Sequence, residues 1–169
     1  MIFDLNNMFF GSAPFASASN FQSLATLTAS GTTSTVINMG VKQDMGIGDG
    51  VAIPKVAVVV GTGITSASAG LRLNWQFQGS TDSTNWTTYA ETGANSTASY
   101  TAGSYILPID LPRRPSGVAL PQYYRMAMAV TGITNETITI GTILGGLVLS
   151  RDDAGDTLGQ YASGFTVAA

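Results

Sequence analysis

The sequence predicts an all-β protein, a sandwich or barrel of about eight short antiparallel strands. Three observations carry this. Short runs alternate apolar and polar side chains, or are β-branched throughout, which is the period-2 signature of strands. Turn clusters of Gly, Asn, Asp, Ser and Pro separate these runs, in a chain with 20 Gly and about a fifth Ser plus Thr. Helical periodicity is nearly absent. At 169 residues the chain makes one domain with room for a real core. Hydrophobic residues are 44% and charged residues only 10%, a balance unlike a disordered acidic chain or a coiled coil.

Residues 1–34 read as an N-terminal arm. Phe3, Phe9, Phe10, Phe15 and Phe21 put five of the seven phenylalanines here, at spacings that keep neither period 2 nor 3.6 for long. Two readings stay open. The segment is an edge strand or short helix on its own core, or an extended arm that anchors aromatic side chains on a neighbouring subunit. On the second, Phe3, Phe9 and Phe10 are the anchors, and deleting residues 1–10 removes binding while sparing the fold.

Residues 35–151 form the sandwich domain. Strands are expected at 36–39, at 55–61 (apolar and β-branched, hence buried) and at 71–78. In the last, Leu71, Leu73, Trp75 and Phe77 alternate with Arg72, Asn74, Gln76 and Gln78, giving one dry and one wet face. A turn at 79–85 leads into a strand at 86–89, making a hairpin with a longer loop. Residues 92–103 read as a polar loop holding at most a weak strand. A strand at 104–109 carries Pro108, and the Pro-rich stretch 111–121 is a structured connection. The segment 122–130 alternates again, with Tyr124, Met126, Met128 and Val130 on one face. Strands at 137–140 and 143–149 follow, the latter bent at Gly145-Gly146. Residues 152–169 open with Asp152, Asp153 and Asp156 and read as a short C-terminal tail.

Composition excludes much chemistry. The chain has no His and no Cys, so no Ser–His–Asp triad, Cys–His nucleophile, zinc cluster or disulfide can be built. The seven basic residues are scattered, with only Arg113 and Arg114 adjacent, and net charge is −3. A nucleic-acid binder needs a basic stripe to neutralise phosphate, so no nucleic-acid partner is expected. No apolar run approaches the 20 or so residues of a membrane helix, and no secretory signal is legible, so no membrane partner is expected either.

The remaining motifs are weak. Asp82, Ser83, Thr84 and Asn85 could offer oxygens to calcium, but one carboxylate is too few and the same residues make turns. The glycine runs at 46–50 and 61–63 lack the Lys-Ser/Thr ending of a phosphate loop. No carboxylate pair stands out for acid–base work, so no catalytic residue, cofactor or metal is assigned and the chain is read as a non-enzyme. Trp75 is expected in the core, whereas Trp86 could stand exposed. Arg113 and Arg114, held between Pro112 and Pro115, form a rigid basic point suited to a partner's carboxylates.

One order of features resembles a known family. The hairpin from Trp75 through Gly79, Asp82 and Asn85 to Trp86 is followed by Leu111-Pro112-Arg113-Arg114-Pro115. Then come Tyr123-Tyr124-Arg125-Met126, a Val-Thr-Gly turn and Gly145-Gly146-Leu147-Val148-Leu149. Together these resemble the jelly-roll capsid cement (decoration) proteins of tailed, short-tailed-type bacteriophages, over about residues 35–151. The resemblance implies a jelly-roll antiparallel β-sandwich that assembles as a dimer or trimer. It implies binding to the major capsid protein on the outer surface of the virion, after synthesis in the host cytoplasm, and no catalysis. Phe3, Phe9, Phe10, Arg113 and Arg114 are the interface residues expected on this reading. The alternative is a carbohydrate-binding or host-adhesion module of a virion, which would need Trp86, Tyr89 or Tyr100 exposed in a groove.

Overall fold

In a computed structural model, residues 3–11, 22–23, 32–42, 54–66, 70–110, 112, 114–131 and 138–149 are described. Two antiparallel sheets pack into an all-β sandwich. The chain supplies β1 (Phe3–Phe10), β2 (Gln22–Ser23), β3 (Thr32–Thr33), β4 (Ile37–Asn38), β5 (Pro54–Ser66), β6 (Arg72–Ser80), β7 (Thr87–Glu91), β8 (Asn95–Ser96), β9 (Tyr105–Asp110), β10 (Tyr123–Thr131) and β11 (Ile138–Leu149). Sheet one runs β1-β11-β5-β9, with β2 also on β11. Sheet two runs β3-β10-β6-β7, with β4 on β10 and β8 on β6.

The alternation read at 71–78 and 122–130 sets the register of sheet two. β6 and β10 pair without a break from Ser80↔Tyr123 to Arg72↔Thr131. Leu73, Trp75 and Phe77 therefore share the inner face with Tyr124, Met126 and Met128, and all six are essentially inaccessible. In sheet one, β5 and β11 pair along most of their length and supply Val56, Val58, Val60, Ile143 and Leu147 to the same core.

Aromatic rings bind the two layers. Phe9 and Phe10 of β1 are 0% and 1% exposed and reach across to sheet two. Phe9 meets Phe77 edge-on at 6.0 Å, and Phe10 meets Trp75 at 5.9 Å. Phe77 also stacks on Tyr124 at 5.5 Å, and Tyr100 closes the far side of Trp75 at 6.4 Å. Such pairs each add about 0.5–1.5 kcal/mol beyond the area they bury. The Trp75 indole nitrogen is buried with no hydrogen-bond partner among the described residues, so packing alone holds the ring.

These facts correct the arm. β1 is a strand of sheet one, β3 belongs to sheet two, and Phe9 and Phe10 are core residues of this chain rather than anchors for a neighbour. The cause is pairing: β1 lies against β11 through irregular register steps at Met8 and Phe10. Those steps place Met8, Phe9 and Phe10 all out of solvent, which hides the period in the sequence. The two strands expected at 137–140 and 143–149 are one, because Gly145 and Gly146 pair with Val58 and Ala57 inside the ladder. β5 likewise runs on to Ser66, past the strand expected at 55–61, and Thr65 shares a hydroxyl hydrogen bond with Thr139 at 3.0 Å. The polar stretch 92–103 holds the short β8 and a single 3-10 turn at Thr97–Ser99. The tail at 152–169 and the turn at 46–50 lie outside the described residues.

Candidate functional site

The outward face of β6 is a connected row of amides, of which Gln78 is itself buried at 8% exposure. Arg125 of β10 pairs with Gln78 in register, and its Nε donates to Gln78 Oε1 at 2.8 Å. Gln78 Nε2 donates to Gln76 Oε1 at 3.0 Å and to Thr88 Oγ1 at 3.2 Å. Gln76 Nε2 donates to Glu91 Oε2 at 3.2 Å, and Asn74 Nδ2 donates to the same oxygen at 2.9 Å. Asn74 Oδ1 is buried and has no hydrogen-bond partner among the described residues. The row thus starts at a cation on β10, crosses β6 and ends at an anion on β7.

Both ends are electrostatically set. The Arg125 guanidinium lies over the Trp86 ring, 4.1 Å from its centroid, and its partial burial lowers its pKa from the ordinary value. It stays charged, since arginine deprotonates only far above neutrality. At the other end, the amides of Asn74 and then Gln76 donate to Glu91 and hold its carboxyl below the usual range.

The loop between β6 and β7 is built around Asp82. Its carboxylate accepts from the Asn85 N–H at 2.8 Å, Asn85 Nδ2 at 2.8 Å, the Thr84 N–H at 2.8 Å and the Ser80 hydroxyl at 3.0 Å. These bonds, with the Asn85 backbone contributing most, hold its pKa far below the usual carboxylate value. The loop's own donors take up the carboxylate, so Asp82 is a turn maker as its neighbours suggest. The sign of the linkage follows. A depressed native pKa gives stability that is fully present above the unfolded value, about 3.9, and lost as pH falls through the native one. Asp82→Ala is expected to lower the melting temperature at pH 7, with the gap to the parent chain closing in acid below about pH 3.9. Thermal scans from pH 2 to 7 check this, and a gap that is constant with pH would exclude a carboxylate role.

The Pro-rich connection caps the same end of the sandwich. Val118 N–H donates to Pro115 C=O at 3.2 Å, closing a turn, and Arg114 Nη1 donates to the carbonyl of Val118. Arg114 is half-buried and engaged within its own loop. Gly79, Ser80, Thr81, Asn85, Thr87 and Tyr89 face Val118 and Ala119 across a cavity of about 200 Å³. The Gln122 N–H binds Ser80 C=O at 2.8 Å and the Met39 N–H binds Gln122 C=O at 2.9 Å, so exposed Leu120 and Val41 lie on neighbouring segments at this end.

No protein-family model matches this chain, and no curated protein matches its sequence. The residues assigned from sequence separate as follows. Phe9 and Phe10 are in the core. The backbone of Phe3 pairs with Val148, in a row that continues through Lys55 to Asp110, immediately before the connection that carries Arg114. The side chain of Phe3 and the whole of Arg113 lie outside the described residues. Of the three aromatics any of which could have served a sugar groove, Tyr100 is in the core with its hydroxyl donating to Leu73 C=O at 3.2 Å. Tyr89 packs edge-on against Phe77 and Tyr124. Trp86, half-buried like Tyr89, has Arg125 over its ring. Among the described residues no three of His, Cys, Asp and Glu cluster as metal ligands. Sequence reasoning put Asn74, Gln76 and Gln78 on the wet face but missed Arg125, Trp86 and Glu91 as their partners. Arg125 and Glu91 come from two other strands and Trp86 from the residue before β7, and only the register reveals them.

Proposed function

We propose that this chain is a structural, non-enzymatic virion protein that binds the outer surface of a phage capsid as a homo-oligomer and bridges neighbouring major capsid subunits. One observation carries the reading most directly. The segments that resemble cement proteins are far apart in sequence, yet the 75–86 hairpin, residues 114–121 of the connection and the start of β10 adjoin at one end of the sandwich. That end presents a cavity, exposed Leu120 and Val41, and the engaged Arg114. Exposed apolar side chains beside a cavity with polar groups around them suit a protein-binding surface.

The jelly-roll form belongs to this reading, and the strand order supports it. Count β3 and β4 as one interrupted strand, β8 as a continuation of β7, and set β2 aside. The first strand then lies beside the eighth, the second beside the seventh, the third beside the sixth and the fourth beside the fifth. That is a long hairpin folded across two sheets, the double Greek-key arrangement found in viral capsid and lectin domains. Cementing needs no chemistry. A protein that binds the assembled lattice and not the free subunits stabilises the lattice by mass action, and several linked contacts multiply avidity by about 10²–10⁴.

The test is sedimentation of the purified chain with capsids that lack it. Saturable co-pelleting at a fixed ratio to shell subunits is expected. No co-pelleting, together with glycan binding lost on Trp86→Ala, would replace this reading with the adhesion one.

A further inference from the structure

We infer that the outer face of sheet two is a self-complementary docking surface whose partner is a second copy of this chain, with Arg125 of each copy opposite Glu91 of the other. The charges at the two ends of the amide row do not meet within one chain. Their backbones sit on strands either side of β6 and about two residues apart along it, roughly 12 Å at ordinary strand spacing. The side chains are linked only through Gln78 and Gln76, and neither charged group has an oppositely charged partner among the described residues. The terminal nitrogens of Arg125 have no hydrogen-bond partner there either, while Trp86 and Gln78 fix the plane of the guanidinium. A fixed fork with its outer edge unengaged fits a carboxylate.

A row that is positive at one end and negative at the other is complementary to itself when reversed. A two-fold axis in the plane of contact, crossing the row near Gln76 and Gln78, reverses it and brings both charge pairs together at once. Closed two-fold dimers are built in this way, from one patch used twice. One further feature favours a second copy. The outward residues of β10 beside the row are Ala127, itself nearly buried, and Ala129, in register with Gln76 and Asn74, so β10 puts no bulky side chain beside those two amides. Each pair would count for little in open water. Apposed rows exclude water and raise its value, and they penalise any mismatch of sign.

This deepens the homo-oligomer part of the reading above. Its test uses the full chain without shells, so it can fail while capsid binding stands. Sedimentation equilibrium of the parent chain is expected to show a dimer. Arg125→Glu and Glu91→Arg, each folded by circular dichroism, are each expected to weaken self-association at least about tenfold. Mixed in equal amounts, the two variants are expected to recover dimer, because both pairs are then again opposite in sign. A monomeric parent chain, single variants that associate like the parent, or a mixture that stays monomeric would overturn the inference.

Discussion

Removal of residues 1–10 is expected to abolish cooperative folding. The deletion takes away Met8, Phe9 and Phe10, all buried, and one whole strand of sheet one. Truncating a buried Phe costs about 3–5 kcal/mol and a buried Met about 2–5 kcal/mol, against a total stability of about 5–15 kcal/mol for a domain. The loss also reaches sheet two, because Phe77 and Trp75 each lose an edge-on ring. It further exposes one side of β11 as an unpaired edge, a template for aggregation. Near-ultraviolet circular dichroism and a thermal scan of the truncated chain check this. A truncated chain that melts like the parent would restore the arm. Phe10→Ala is the graded version, expected to cost about 3–5 kcal/mol.

Gly145→Ala is expected to destabilise the fold by about 1–3 kcal/mol, at the upper end for overpacking in a rigid place. A Cβ at position 145 would stand 2.6 Å from Val58 Cγ2 and 2.8 Å from the Ala57 carbonyl oxygen. The second of these is backbone in the adjacent strand, so no rotamer change relieves it. Gly145 also pairs with Phe10 on its other side, so β11 has little room to shift. The contrast is Gly79→Ala, where the three atoms nearest the added Cβ all belong to the Tyr89 side chain, at 2.6 to 2.9 Å. A side chain can swing where a ladder cannot, so Gly79→Ala is expected to cost less. Urea titrations of both variants rank them, and equal losses would refute the backbone argument.

Sheet two was legible in the sequence because its strands have one wet face. Leu73, Trp75 and Phe77 against Asn74, Gln76 and Gln78 declare both the strand and its orientation, and Tyr124, Met126 and Met128 do the same. Sheet one was harder. β5 and β11 are apolar over long runs, and the glycines at 145 and 146 imitate a turn while Gly145 serves close approach to β5. β1 was the least legible, since its register steps destroy the alternation on which the reading depends. The candidate face was half legible. The amides could be placed on a surface, but Arg125 and Glu91 join them only through pairing with strands far along the chain.

The pairing of β1 with β11 also sets a schedule. Phe10 finds its place only when Gly145 has been made. At about 5–20 residues per second, the ribosome needs on the order of ten seconds to travel between them. Through that interval two phenylalanines destined for the core have no sheet to enter, and the nascent chain must keep them from other surfaces. Folding therefore waits for nearly the whole described chain and is expected to be slow, in the millisecond-to-second range of topologies dominated by distant pairings.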